Sequence, residues 1–455
     1  MTGCVVKLKA GNGASLVANS DYVGGNTDIT LIGGTYDGSY GTNSFSGVAD
    51  QNQQHITDFR NVTRLTIRGA RFINGTKYAI RALIVTDVTV QDIDFNTHSD
   101  GVHIQGPASR VRISNISGTT GDDFVAIGTT DYATYLTGPG GPINDVVIDG
   151  LYPTAGLTAM HAFPHTGNDI TDLTVRNVYG SVSGNGGAVR LDSEPVNGGT
   201  FSRAFLENIQ PTVTVDNPIV QIYVAEDVTV RDVRRKSPGT TELVRVETAS
   251  TVGSLTIDGL VDLGARSAAA VNVVGTVTDL TVRRLNVKPG VNGGAVNISG
   301  SASRASLSDI HMVGVKNGDY VLRLGPSAAP IVKMAAVQVN NIDYPIKCFS
   351  AAEIDLLGVD FTNCTAVVFL DGAGATPRVK GAGIKTSTTY RAFQRNSTGT
   401  ASLGTSDFPI DLALAELAKT ANDRAYNTNA SLSCGTGPVG YTGTAWKHLI
   451  TGATY

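Results

Sequence analysis

A short motif recurs down most of this chain, and recurrence at a near-constant spacing restricts a fold to stacked repeats more tightly than any residue propensity does. Each copy has two alternating apolar positions, two small or polar residues and a further apolar one. Leu65-Thr66-Ile67-Arg68-Gly69, Val88-Thr89-Val90-Gln91-Asp92-Ile93 and Val111-Arg112-Ile113-Ser114-Asn115-Ile116 are examples. Further copies begin at Val146, Leu173, Ala204, Val228, Leu255, Leu280, Ala305, Val337 and Ile354, with an earlier one at Ile29. From Leu65 onward the spacings are 23, 23, 35, 27, 31, 24, 27, 25, 25, 32 and 17 residues.

A second alternating segment follows each copy. Gly101-Val102-His103-Ile104, Phe124-Val125-Ala126-Ile127, Ala159-Met160-His161-Ala162 and Ala188-Val189-Arg190-Leu191 belong to this series, which continues to Ala295-Val296-Asn297-Ile298. Period-two alternation turns the apolar residues to one side and the intervening residue to the other. Two or three short strands per repeat with no helix signal fit a right-handed, single-stranded parallel β-helix, whose coils bury their apolar side chains against the coils above and below. A leucine-rich-repeat horseshoe would instead show Leu at fixed spacing with an Asn in each turn, which is absent here. Register then predicts an outward ladder: Arg81, His103, Ala126, His161, Arg190, Gln221, Arg245, Asn272, Asn297 and Arg323, about 4.8 Å apart. From Arg245 onward these residues read as a solvated sheet face.

Composition agrees and excludes other classes. Charged residues are 16% of the chain and 53 of its 455 residues are glycine, which is poor in helix formers and rich in turn formers. A net charge of −4 argues against a nucleic-acid binder. No apolar run reaches the roughly 18 residues that would insert into a membrane. Cys4, Cys348, Cys364 and Cys434 are too scattered for a disulfide framework or a C-x-x-C metal site, and no cofactor or metal is expected.

Carboxylates gather at two coils. Asp100 and Asp123 each lie twelve residues after a motif start, at Val88 and Val111, so they share a phase on consecutive rungs, and Asp122 adjoins Asp123. Like charges this close cannot all ionise easily, so one carboxyl should be pushed up into the range of a general acid while the others stay charged and handle water. Such a division of labour is what glycosidic bond cleavage needs. His98, His103, His161 and His165 fall in the same stretch. The long spacings of 35 and 31 residues insert Thr129–Pro142, with Tyr132 and Tyr135, and Glu194–Gly199 beside the second strand. These loops would wall a groove in which tyrosines stack on sugar rings. His161 and His165 have a ligand-like spacing only on a helix, and here they fall on a strand and its turn.

The segments Asn96-Thr97-His98-Ser99-Asp100-Gly101, Gly121-Asp122-Asp123 and Arg190-Leu191-Asp192 resemble the N-T-D, G-D-D and R-I-K signatures of polygalacturonase-like enzymes, glycoside hydrolase family 28. Gly33-Gly34-Thr35-Tyr36-Asp37-Gly38 resembles that family's early Gly-Thr-x-Asp-Gly turn, and the likeness spans roughly residues 28 to 195. The resemblance implies Asp122 as the acid, Asp100 and Asp123 as activators of water, and inversion at the anomeric carbon. A one-rung separation of carboxyls would by itself suggest retention. The remaining candidates, His98, His103, Tyr132, Tyr135, His161, Arg190, Asp192 and Glu194, fall to substrate binding. Three departures stand out: His98-Ser99 interrupts the first signature, Thr158 stands where the family has a His, and Asp192 replaces the Lys that binds a substrate carboxylate. A galacturonate carboxylate facing Asp192 would be repelled, which points away from pectin.

Toward the ends, Pro409–Lys419 has the pattern of a short amphipathic helix, and a stretch through Trp446-Lys447-His448 reads as a small β module. The expected organisation is therefore a β-helix over residues 1–403 and a small C-terminal α/β module over 404–455 that caps or trimerises it. Together with Lys7-Leu8-Lys9-Ala10-Gly11-Asn12-Gly13, this layout resembles bacteriophage tailspike depolymerases lacking their virion-attachment domain. That resemblance implies a homotrimer in a virion tail, joined to a baseplate through an N-terminal part, acting outside the cell on capsule or lipopolysaccharide O-chains. Two rivals keep the fold. A polysaccharide lyase would use Arg190 and a Tyr or His base, and a non-catalytic adhesin would only bind glycan. A third arrangement places the acids between subunits, with Glu242 and Glu247.

Overall fold

The computed structural model describes residues 3–11, 14–42, 55–131, 139–165, 167–184, 187–192, 198–235, 240–328, 330–370 and 377–387, with short strands beyond them. The helix expected over 409–419, Tyr132, Tyr135 and Glu194 lie outside the described residues. The protein is all-β, and its strands pair in parallel as the coils of a right-handed β-helix. Three short antiparallel strands, Arg424–Asn427, Gly437–Tyr441 and Trp446–His448, form a separate small sheet. The chain divides into two compact units, Met1–Pro238 and Gly239–Tyr455.

In the first unit, motif starts pair rung by rung: Ile29 with Leu65, Leu65 with Val88, Val88 with Val111, Val111 with Val146, Val146 with Leu173 and Leu173 with Ala204. From Leu65 to Leu173 these starts are almost wholly shielded from solvent. Each fully buried aliphatic side chain is worth about 1.5–3 kcal/mol, so the core gains with every added coil. A parallel file of rings, Tyr36, Phe72, Phe95 and Phe124, has centroids 5.2, 5.8 and 5.9 Å apart.

The polar pair within each motif has a backbone cause. Asp92, Asn115, Asn177, Asn208 and Asp232 stand at one phase with φ between 51° and 59°, the left-handed region that ordinary side chains avoid. Asn and Asp tolerate it because their short polar side chains bond locally. Here they bond up the stack: Asn115 Nδ2 donates to Asp92 at 2.6 Å and Asn208 Nδ2 to Asn177 at 2.7 Å.

In the second unit Leu255, Leu280 and Ala305 pair in the same way, but Ala305 then pairs with Val332, and Val332 with Ile354. The copy expected at Val337 therefore begins at Val332, and spacings of 32 and 17 become 27 and 22. Ser301–Val313 is a long strand that pairs with both Ile331–Ala335 and Gln338–Asn340, which flank Ala336 at φ 52°. Both halves alternate, so the pattern alone offered two starts.

The second-strand ladder runs Arg81, His103, Ala126, His161, Arg190, Gln221 in the first unit and Arg245, Asn272, Asn297, Arg323, Lys347, Phe369 in the second. Arg81, His103, His161 and Gln221 are buried; from Arg245 onward, where a solvated face is expected, Asn297 is buried while Arg245, Asn272 and Arg323 are half-exposed, and in each unit the ladder floors a cleft.

Candidate active site

The cleft of the first unit has a volume of about 300 Å³ and brings together Asp100, Asp122, Asp123, His103, His161 and Arg190. Local packing puts the aspartates there. Phe124, fully buried against Phe95, pins the chain directly after Asp123 to the core. Gly121 lies so close to the coil below that a Cβ would sit 2.2 Å from the His98 carbonyl oxygen, so any larger residue would push the Asp122-Asp123 turn away. Backbone bonds lock the rungs: Gly101 N–H donates to the Asp123 carbonyl at 3.0 Å and Leu157 N–H to that of Asp122 at 3.0 Å.

Two of the three carboxylates are clamped by imidazoles. His103 Nδ1 lies 2.8 Å from Asp100 Oδ2, and its ring stacks 3.8 Å from that of Tyr78. The Tyr78 hydroxyl donates to Asp131, whose carboxylate lies 3.7 Å from His103 Nε2. His161 Nδ1 lies 2.9 Å from Asp123 Oδ2, while the Thr158 hydroxyl donates to Asp123 Oδ1 at 2.7 Å. Asp122, half-buried, has no hydrogen-bond partner for its carboxyl among the described residues.

Electrostatics separate the neighbours. Burial, then the charges of Asp100 and Asp123, push Asp122 up to about 6, with Lys77 and His161 pulling weakly the other way. Burial also works against the Asp123 carboxylate, but the His161 cation and the hydrogen bonds from His161 and Thr158 outweigh it and hold Asp123 below the usual range. Burial opposes the charge on His161 as well; Asp123 and Asp192 overcome it and raise the imidazole to about 9. At mildly acidic pH the cleft thus holds one protonated carboxyl beside a carboxylate, an arrangement that assigns acid and base roles.

The other sequence candidates separate into groups. His103, His161 and Arg190 line the cleft. His98 is exposed and stacks on Tyr40 with centroids 3.6 Å apart, outside the cleft lining. Asp192 is bound by Arg190 at 2.6 Å and lies 3.4 Å from His161 Nε2, so its charge is matched and the expected repulsion of an acidic sugar loses its basis. His161 and His165 do not converge: the Phe163 ring packs 4.9 Å from one and 5.6 Å from the other. Glu242 accepts from Asn272 and Glu247 forms an ion pair with Arg245 at 2.9 Å. Lys77, Tyr78, Leu157 and Phe163 line the cleft without having been singled out. Tyr78 stands two residues before Ile80, the phase of Asp100, so carrying the carboxylate phase one coil back would have found it.

Comparison with curated proteins finds similarity to an endo-polygalacturonase of Sclerotinia sclerotiorum, 27% identical over 191 residues. The match covers 40% of this chain and 42% of that protein, so the chain spans less than half of the relative it matches. No protein-family model matches, and no solved structure matches. The likeness, the parallel β-helix and the aspartate cleft agree on a polygalacturonase-like architecture.

Proposed function

We propose that this protein is an endo-acting glycoside hydrolase whose substrate is a bacterial surface polysaccharide, capsule or O-chain, and whose working groups are Asp122, Asp100 and Asp123. The observation that carries the reading is the unclamped Asp122 carboxyl, raised to about 6, beside the imidazole-clamped Asp123 carboxylate. Asp122 gives its proton to the leaving glycosidic oxygen. A water adds to the anomeric carbon and loses its proton to Asp100 or Asp123, so one bond breaks, one forms and the proton count balances. The endo-polygalacturonase relative supports the hydrolytic reaction. The bacterial substrate, the homotrimer and the virion tail rest on the tailspike resemblance of the sequence. A lyase is less well served: His161 is held as a cation and burial raises the Tyr78 hydroxyl well above its ordinary value, so neither is a ready base.

The test is a spot assay on lawns of a broad panel of encapsulated and smooth strains, with wild type and Asp122→Asn at equal concentration. The reading expects haloes from wild type alone, with new reducing ends and no unsaturated product absorbing in the ultraviolet. Haloes from both proteins, or an unsaturated product, overturn the assignment.

A further inference from the structure

The second unit contains a cleft of about 400 Å³ with different chemistry. Its floor is the ladder segment Asn272, Asn297, Arg323, Lys347 and Phe369, consecutive rungs of one sheet. Arg323 and Lys347 therefore stand side by side, and like charges on adjacent rungs repel. Arg323 has no carboxylate partner among the described residues; its guanidinium packs over the Phe349 ring at 4.9 Å. Lys347 Nζ donates to the Gly318 carbonyl and lies 5.2 and 5.6 Å from the rings of Tyr320 and Tyr344.

A hydrogen-bond relay fixes the amides beside these cations. The Glu242 carboxylate accepts from Asn272 Nδ2 at 2.6 Å, which turns Asn272 Oδ1 toward Asn297 Nδ2 at 2.9 Å. That leaves Asn297 Oδ1 as the terminal acceptor, buried and without a donor among the described residues. A buried amide oxygen without a donor costs about 1–3 kcal/mol, which a ligand hydroxyl would recover. Gly294 makes the room: a Cβ there would lie 2.2 Å from the Tyr320 ring.

We propose that this cleft is a second, non-catalytic binding site for an acidic saccharide, with Arg323 and Lys347 holding the sugar carboxylate, Asn297 Oδ1 accepting a hydroxyl, and Tyr320 and Phe369 facing the ring. Glu242 is the one carboxylate lining it among the described residues, and glycosidic cleavage needs two. Burial pushes the Tyr320 hydroxyl up to about 12, which removes it as a base for elimination. The site stands independently of the hydrolase reading.

The test uses the full chain carrying Asp122→Asn to stop turnover, titrated calorimetrically with oligogalacturonates and with hyaluronan oligosaccharides, and with neutral maltooligosaccharides as control. A uronate series binds, the neutral series does not, and raised salt weakens the binding. Arg323→Gln and Lys347→Gln each lower affinity about tenfold or more, the loss of a charged hydrogen bond. Thermal melting reports whether each variant is folded, and if Arg323→Gln is not, Lys347→Gln decides. Absence of binding by both uronate series, or unchanged affinity in the folded variants, overturns the proposal. A protein that binds through Arg323 yet releases no reducing ends on any lawn keeps this site and sinks the hydrolase; cleavage without Arg323-dependent binding does the reverse.

Discussion

The two clefts share a scaffold and differ in what their turns carry. Each is floored by the outward positions of its second strands, and the position three residues before each floor residue carries different chemistry in the two units. In the first unit that position holds Tyr78, Asp100, Asp123 and Thr158 on successive coils; in the second it holds Glu242, Ala269, Gly294, Tyr320 and Tyr344. Glu242 thus holds the phase of Asp100 and Asp123 but has no carboxylate neighbour in its cleft among the described residues, and it orients Asn272. Position alone does not make a catalytic acid. What separates the clefts is the crowding of Asp122 by two further carboxylates, which splits their protonation.

The comparison breaks most sharply at Asp122. Asp122→Asn should lower turnover by about 10²–10⁴-fold while leaving uronate titration of the second cleft in place, read by reducing-end release and calorimetry on one preparation. His161→Ala comes next, because it strips the buried Asp123 of its cation at a cost of about 3–5 kcal/mol. Its pH signature follows from the shifts. The raised His161 contributes stability fully present below its ordinary 6.5 and lost as pH climbs through about 9. The depressed Asp123 contributes stability present above its ordinary 3.8 and lost as pH falls through its lower folded value. Denaturation midpoints of wild type should therefore fall between pH 6.5 and about 9, and that fall should be missing in His161→Ala.

A finer effect concerns Lys77, whose charge lowers Asp122. Since Asp122 must be protonated to act, kcat/KM should decline with rising pH around 6, and Lys77→Met should move that decline a fraction of a pH unit upward. Smallest is the turn file shared by many coils. Asn115 holds φ 53°, so Asn115→Ala should cost about 1–2 kcal/mol, while Asn115→Gly loses only the bond to Asp92, a difference read from urea midpoints.

Much of this was legible in the sequence, and the reason is repetition. A coil period projects every position onto the same phase of the next rung, so the pairing of Val88 with Val111 placed Asp100 over Asp123 before any coordinate was known. Where two alternating segments competed, as at Val332 and Val337, the projection slipped, because alternation marks a strand but not its number. Partners that depend on side-chain direction were hidden. Nothing in the letters says that Asp192 turns to Arg190 and His161, or that His98 stacks on Tyr40 instead of entering the cleft. The second cleft was missed for a related reason: Asn272, Asn297 and Arg323 are ordinary surface residue types one by one, and line one cleft only through the adjacency of their rungs.

The central claim is that Asp122 is the protonated member of a split set of carboxylates, and a carboxyl titration tests it without any substrate. Aspartate labelled with carbon-13 at the side-chain carboxyl would be followed by NMR in wild type and in Asp122→Asn, which assigns the resonance. One aspartate titrating at about 6 in wild type and absent from the variant is the predicted result. Titration of that resonance near its ordinary value of 3.8 would contradict the account.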